Sequence, residues 1–173
     1  MTHLVVDIET LGVEKGSYIT SISAKILGTN IGFDARNITY EGLSPTMDYN
    51  TVKWWLTKTD EDAKQALFVG EPIHIYDALD AFTKFCEENG VDKYWGNSFD
   101  FDMGHLEFWY KKQGKKVPWK FWELRDIRTI KSFLTAEEIS AIESNTYKHN
   151  SVNDVVIECN ILTKFAEKYN VEL

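Results

Sequence analysis

Two cysteines, three prolines and ten glycines in 173 residues leave little material for a disulfide framework, a proline-rich tail or a flexible linker. Cys86 and Cys159 stand singly, with no CxxC and no histidine at ligand spacing, so neither a disulfide scaffold nor a structural zinc site is expected. A reducing, cytoplasmic setting is the default that follows. No apolar run approaches the roughly 20 residues needed to span a bilayer. The opening segment reaches Asp7 with no basic stretch before it, so a signal peptide is not expected either. Repeats and low-complexity tracts are missing, which points to one domain over residues 1–173. Basic residues are scarce as well: 19 Lys and Arg face 27 Asp and Glu, for a formal charge of −8. That balance argues against nucleic acid, whose phosphates attract Lys and Arg. The argument fails if the acids are clustered to hold divalent cations.

What the chain does carry is 43% apolar and 14% aromatic residues, ample for a sizeable core. Leu4 to Ile8 reads as a buried strand ending in acids. Tyr18 to Leu27 alternates with period two, Ile22, Ala24 and Ile26 on one face and Ser21, Ser23 and Lys25 on the other. After the turn at Gly28, Ile31 to Tyr40 is a third extended stretch, completing an antiparallel meander. Helical patterns follow over 49–57, 60–68, 76–88, 100–113, 126–133 and 135–143, with a short strand at 93–96. In the last helix Val152, Val155, Val156, Cys159, Leu162, Ala166 and Tyr169 form a core stripe. Three strands followed by alternating helix and strand predict an α/β fold: a mixed central sheet, antiparallel over strands 1–3 and parallel afterwards, flanked by helices.

Three segments carry chemistry-bearing residues. In Asp7-Ile8-Glu9 the strand alternation puts both acids on one face, about 6–7 Å apart. Burying them there is costly unless a cation compensates; the plain alternative is a solvated strand end. Asp100-Phe101-Asp102 opens a helix just beyond the carboxyl end of a strand, where sites of α/β sheets gather, although an acid there can be a simple cap. His149-Asn150-Ser151-Val152-Asn153-Asp154 opens the last helix. Ser151 with Asp154 fits a capping box, which leaves His149 unexplained; a loop histidine beside acids can serve as a general base.

In order and spacing the three segments resemble the DEDDh group of 3′–5′ exonucleases, over residues 5 to about 165. Thr51-Val52-Lys53-Trp54-Trp55, Trp95-Gly96-Asn97, Phe101-Asp102-Met103-Gly104-His105-Leu106 and Arg125-Asp126-Ile127-Arg128-Thr129 are similar to a subgroup containing the phage exodeoxyribonuclease A and a bacterial 3′–5′ exoribonuclease. The resemblance implies a ribonuclease-H-like fold and two divalent cations, Mg²⁺ or Mn²⁺, held by Asp7, Glu9, Asp102 and Asp154. It implies that Asp7 bridges both, that Glu9 and Asp154 complete one and that Asp102 supports the other. His149 is then the base that deprotonates the attacking water. Asp102, not Asp100, matches the family acid, because three residues and then an apolar one, Leu106, follow it. Where the family has Gln-Ala after the last acid, this chain has Glu158-Cys159, an extra charge near the site.

The implied reaction is hydrolysis of phosphodiester bonds from the 3′ ends of single-stranded nucleic acid, DNA placed ahead of RNA, releasing nucleoside 5′-monophosphates. Thr10 and Leu11, beside the first motif, are candidate substrate contacts, as is one of Trp54 and Trp55 stacking on the terminal base while the other faces the core. Residues 109–120 interleave five lysines with aromatics and contain no acid. Lys111, Lys112, Lys115 and Lys116 are therefore candidate phosphate contacts, or else a solvated loop. Two other classes stay open: a catalytically inactive module that only binds nucleic acid, and a metal-dependent phosphohydrolase acting on small nucleotides.

Overall fold

The computed structural model describes residues 1–144 and 149–173. In chain order the elements are β1 (His3–Thr10), β2 (Ile19–Ile26), β3 (Gly32–Arg36), β4 (Ile38–Thr39), α1 (Tyr49–Lys58), α2 (Glu61–Ala66), β5 (Ile73–His74) and α3 (Ile75–Glu88). They continue as β6 (Lys93–Gly96), α4 (Phe99–Gln113), β7 (Leu124–Asp126), α5 (Ile127–Lys131), α6 (Ala136–Glu143) and α7 (Ser151–Tyr169). The main sheet has the strand order β3-β2-β1-β6-β7; the first three strands are antiparallel, and β6 and β7 add in parallel. This is the mixed α/β architecture that the sequence predicts.

Alternation along β1 sorts its side chains between two layers. Leu4, Val6 and Ile8 join the core built with Phe82 and Leu79 of α3 and Leu106 and Trp109 of α4. Val5 points the other way, into a second core with Trp95, Ile127 and Val155, Cys159 and Leu162 of α7. Asp7 and Glu9 therefore face the α7 side. Opposite them on β2 stand Ser23 and Ser21, whose hydroxyls lie 2.7 and 3.0 Å from that of Ser151. Small hydroxyl residues there let the first turn of α7 settle directly onto the sheet.

Several boundaries differ from the expected ones for local reasons. The stretch 31–40 breaks at Asn37, which adopts φ 51°, so β4 leaves the main sheet and pairs with β5. The expected helix over 126–133 shortens to α5, because Asp126 caps it and β7 takes the residues before. The buried face of α7 is Ser151, Val155, Glu158, Cys159 and Leu162 with Ile157 and Ile161, whereas Val156 and Tyr169 of the expected stripe are exposed. The capping residue of α7 is Asn150, whose side chain accepts the Val152 N–H at 3.2 Å; Ser151 spends its hydroxyl on β2 instead.

Candidate metal centre

The carboxyl ends of β1 and β6, the start of α4 and the start of α7 meet at one place. One carboxylate oxygen each of Asp7, Glu9 and Asp154 lies within 4.8 Å of the others. Asp7 and Glu9 arrive there by strand alternation, and a register shift between Glu9 and Thr10 ends the ladder beside them. Asp154 sits in the first turn of α7 and accepts the Asn150 N–H at 3.1 Å, which fixes its side chain over the sheet.

Asp102 approaches from α4. It is 3% exposed, and its Oδ2 accepts the Asn97 N–H at 2.9 Å. Gly96 makes that approach possible, because a Cβ at residue 96 would stand 2.6 Å from Asp102 Oδ2. Gly96→Ala is expected to displace the carboxylate and lower turnover roughly 10-fold or more, as misplacements near 1 Å do, and to destabilise the fold as well, since the Cβ would also stand 2.9 Å from Phe99 Cα; steady-state kinetics and a thermal melt of the variant check it. Asp100 lies outside the cluster: it is exposed and paired with Lys15 at 3.2 Å.

His149 occupies the left-handed region, φ 63°, with its ring edge-to-face on Trp54 at 4.7 Å between centroids. It lines a cavity of about 320 Å³ together with Asp7, Glu9, Asn97, Lys131, Glu143, Asp154 and Glu158. A second basin of about 640 Å³ shares Asp7 and Asn97 and is bordered by Asp102, Lys15 and Arg128. Arg128 donates to the Asn97 carbonyl at 3.3 Å. Asn97, Arg128, Lys15 and Lys131 were not among the expected site residues. Asn97 and Arg128 lie inside the subgroup motifs, which was the available signal.

The packing of acids raises their proton affinities. Burial, then the charges of Glu9, Glu158, Asp102 and Asp154, pushes Asp7 well above the carboxylate range. Burial, Asp154 and Asp102 bring Glu9 to about 8. Burial brings Asp102 to about 7, against the lowering effect of N–H donors from Asn97 and Ile8 and the charge of Arg128. Asp7 Oδ2 is buried with no hydrogen-bond partner among the described residues. Hard oxygen donors, one of them buried and unpartnered, in a like-charged cluster fit Mg²⁺ or Mn²⁺.

These shifts give a sign to the pH dependence. From the ordinary values of 3.8 and 4.5 up to about 7 and 8, the folded chain binds more protons than the unfolded one. Stability of the cation-free protein therefore falls as pH rises through that window. The melting temperature in chelator is accordingly expected to fall between about pH 5.5 and about pH 8.5. Saturating Mg²⁺ should recover most of the loss; a melting temperature that rises over this range in chelator contradicts the reading.

The other sequence candidates are placed as follows. Trp55 is 4% exposed and its indole N–H donates to the Thr10 carbonyl at 2.9 Å, while Trp54 is 38% exposed beside His149. Thr10 is buried with its hydroxyl on the Gly12 carbonyl, and Leu11 packs on the Trp55, Ala63 and Leu67 cluster. The lysines are not brought to the acids. Lys111 stands nine positions along α4 from Asp102, about 13.5 Å of helix, and Lys112, Lys115 and Lys116 lie further along the chain. Lys111 pairs with Glu107 at 2.6 Å, Lys115 with Asp80 at 2.5 Å, and Lys112 lies over the Phe108 ring.

No curated protein sequence matches the chain. The nuclease domain of 3′hExo, a DEDDh family member bound to rAMP, superimposes with TM-score 0.64 at 9% identity, covering 96% of this chain and 92% of that one. S. pombe Pop2p in its Mg²⁺- and Mn²⁺-bound form gives TM-score 0.61 at 12% identity, covering 97% and 84%. At such identities the likeness establishes the fold, which is that of ribonuclease-H-like nucleases. The model of the Rv2179c-like 3′–5′ exoribonuclease domain matches residues 2–165, so the chain belongs to that 3′–5′ exoribonuclease family.

Proposed function

We propose that this chain shortens single-stranded RNA from its 3′ end, one nucleoside 5′-monophosphate at a time. The observation that carries the reading is the meeting of Asp7, Glu9 and Asp154 within 4.8 Å, with Asp102 buried alongside and His149 on the same cavity. The sequence resemblance put DNA first; the exoribonuclease family match favours RNA. Asp7, Glu9 and Asp154, with Asp102, would hold two divalent cations, Mg²⁺ or Mn²⁺. When bound, these supply Lewis-acid stabilisation of the reacting phosphoryl group and lower the pKa of water. His149 takes the proton of the attacking water. The water oxygen bonds to phosphorus as the bond from phosphorus to the 3′-oxygen breaks; that oxygen takes a proton from solvent to become the new 3′-hydroxyl, and the released nucleotide keeps its 5′-phosphate. Trp54 holds the imidazole edge-to-face, and Arg128 borders the 640 Å³ basin with charge suited to the strand's phosphates, Lys15 there being paired with Asp100. Both cysteines are buried and free, which fits a reducing cytoplasm, and no helix among the described residues is long and apolar enough to cross a membrane.

Digestion of 5′-labelled single-stranded RNA and DNA tests this. The expected result with Mg²⁺ or Mn²⁺ is a descending ladder, faster on RNA, that disappears in excess chelator. Activity confined to mononucleotides would make the chain a small-nucleotide phosphohydrolase. Binding without cleavage would make it an inactive nucleic-acid module. Full activity in chelator, with no bound metal, would sink the cation site.

A further inference from the structure

One turn beyond Asp154, on the same face of α7, stands Glu158. It is 4% exposed and lines the 320 Å³ cavity with Asp7, Glu9, Asp154 and His149. The Asn97 side chain is a polar neighbour of its carboxyl group. Its Oε2 is buried with no hydrogen-bond partner among the described residues. Lys131 lines the same cavity, but its ammonium is 3.1 Å from Glu143. Burying a carboxylate beside four others without pairing its oxygen costs several kcal/mol in general. Packing alone does not call for it, since glutamine has the same shape and could use the same space without the charge.

We infer that Glu158 is a fifth carboxylate of the divalent-cation site, a positioning residue whose unpartnered Oε2 tightens cation binding from the α7 side. The inference rests on the two-cation reading above. With Asp7, Glu9, Asp102 and Asp154 it brings the ionised site to five negative charges against four positive ones, so the loaded centre keeps an excess of one. The same charge that strengthens cation binding strains the cation-free fold, because it adds repulsion to an already crowded cluster.

Calorimetry and Mn²⁺ titration followed by electron paramagnetic resonance, on cation-stripped protein without substrate, measure this directly. Glu158→Gln is expected to weaken Mn²⁺ binding about 10-fold or more, the range typical of groups that support metal ligands. Its melting temperature in chelator should rise, and the further rise on adding Mn²⁺ should shrink. Glu158→Asp keeps the charge and should retain most of the affinity, which keeps the inference open to test if the glutamine variant folds poorly. Unchanged Mn²⁺ affinity in Glu158→Gln overturns the inference, as does an aspartate variant as weak as the glutamine one. Absence of Mn²⁺ binding by the parent chain would instead overturn the cation site itself.

Discussion

Asp7→Ala is expected to lower turnover by roughly 10³-fold or more, equivalent to about 4 kcal/mol of barrier, with the fold intact. Asp7 stands on the wall shared by both cavities, and its Oδ2 is buried with no hydrogen-bond partner among the described residues. A ligand placed between two cations serves both, so its loss should exceed that of Glu9, Asp154 or Asp102 singly. Removing it also relieves repulsion, and the variant should melt higher than the parent in chelator while gaining less from Mg²⁺. Single-turnover hydrolysis of labelled RNA, with circular dichroism melts, measures both halves. The same series ranks the α4 acids. Asp102→Ala should be severe and Asp100→Ala mild, because Asp102 is buried beside the cluster while Asp100 is exposed on Lys15. The reverse order would mean that the site is built around the wrong acid.

His149→Ala is expected to lower turnover by roughly 10²–10⁴-fold, the range for loss of a general base. Cation affinity should hardly move, since the group of converging oxygens is Asp7, Glu9 and Asp154 without the imidazole. The ring is held from one side by Trp54 at 4.7 Å and, more distantly, by Trp55 at 6.2 Å. Trp54→Ala should therefore reproduce part of the kinetic defect by freeing the ring, whereas Trp55→Ala should destabilise the protein, its indole being buried and bonded to the Thr10 carbonyl. Loss of Mn²⁺ binding together with rate in His149→Ala would make the histidine a ligand instead of a base.

The local signals in the sequence were strong where one segment decides its own structure. Gly114 closes α4 in the left-handed region, and Thr135 with Glu138 forms the reciprocal cap that opens α6. The alternation of β1 and β2 was legible, whereas Asp102 was singled out from Asp100 only by the resemblance to the family's spacing. The caps and the alternation depend on residues a few positions apart, whose geometry the backbone period dictates.

Partners far apart in sequence were another matter. Asp7 and Asp154 are separated by most of the chain, and only the seating of α7 on Ser21 and Ser23 brings them together. The lysines of 109–120 looked like a cationic stretch until Asp80, 35 positions away, stood beside Lys115. Which of two adjacent tryptophans meets His149 was decided by the turn of α1 against the Thr10 backbone. Glu158 was visible as a charge, but its burial was not, because a helix period gives the face and only packing says what covers it. The sequence by itself determined the fold class and which residues could do the chemistry. The tertiary structure decided which of them converge, because desolvation and charge repulsion act through space, on groups that the chain order leaves apart.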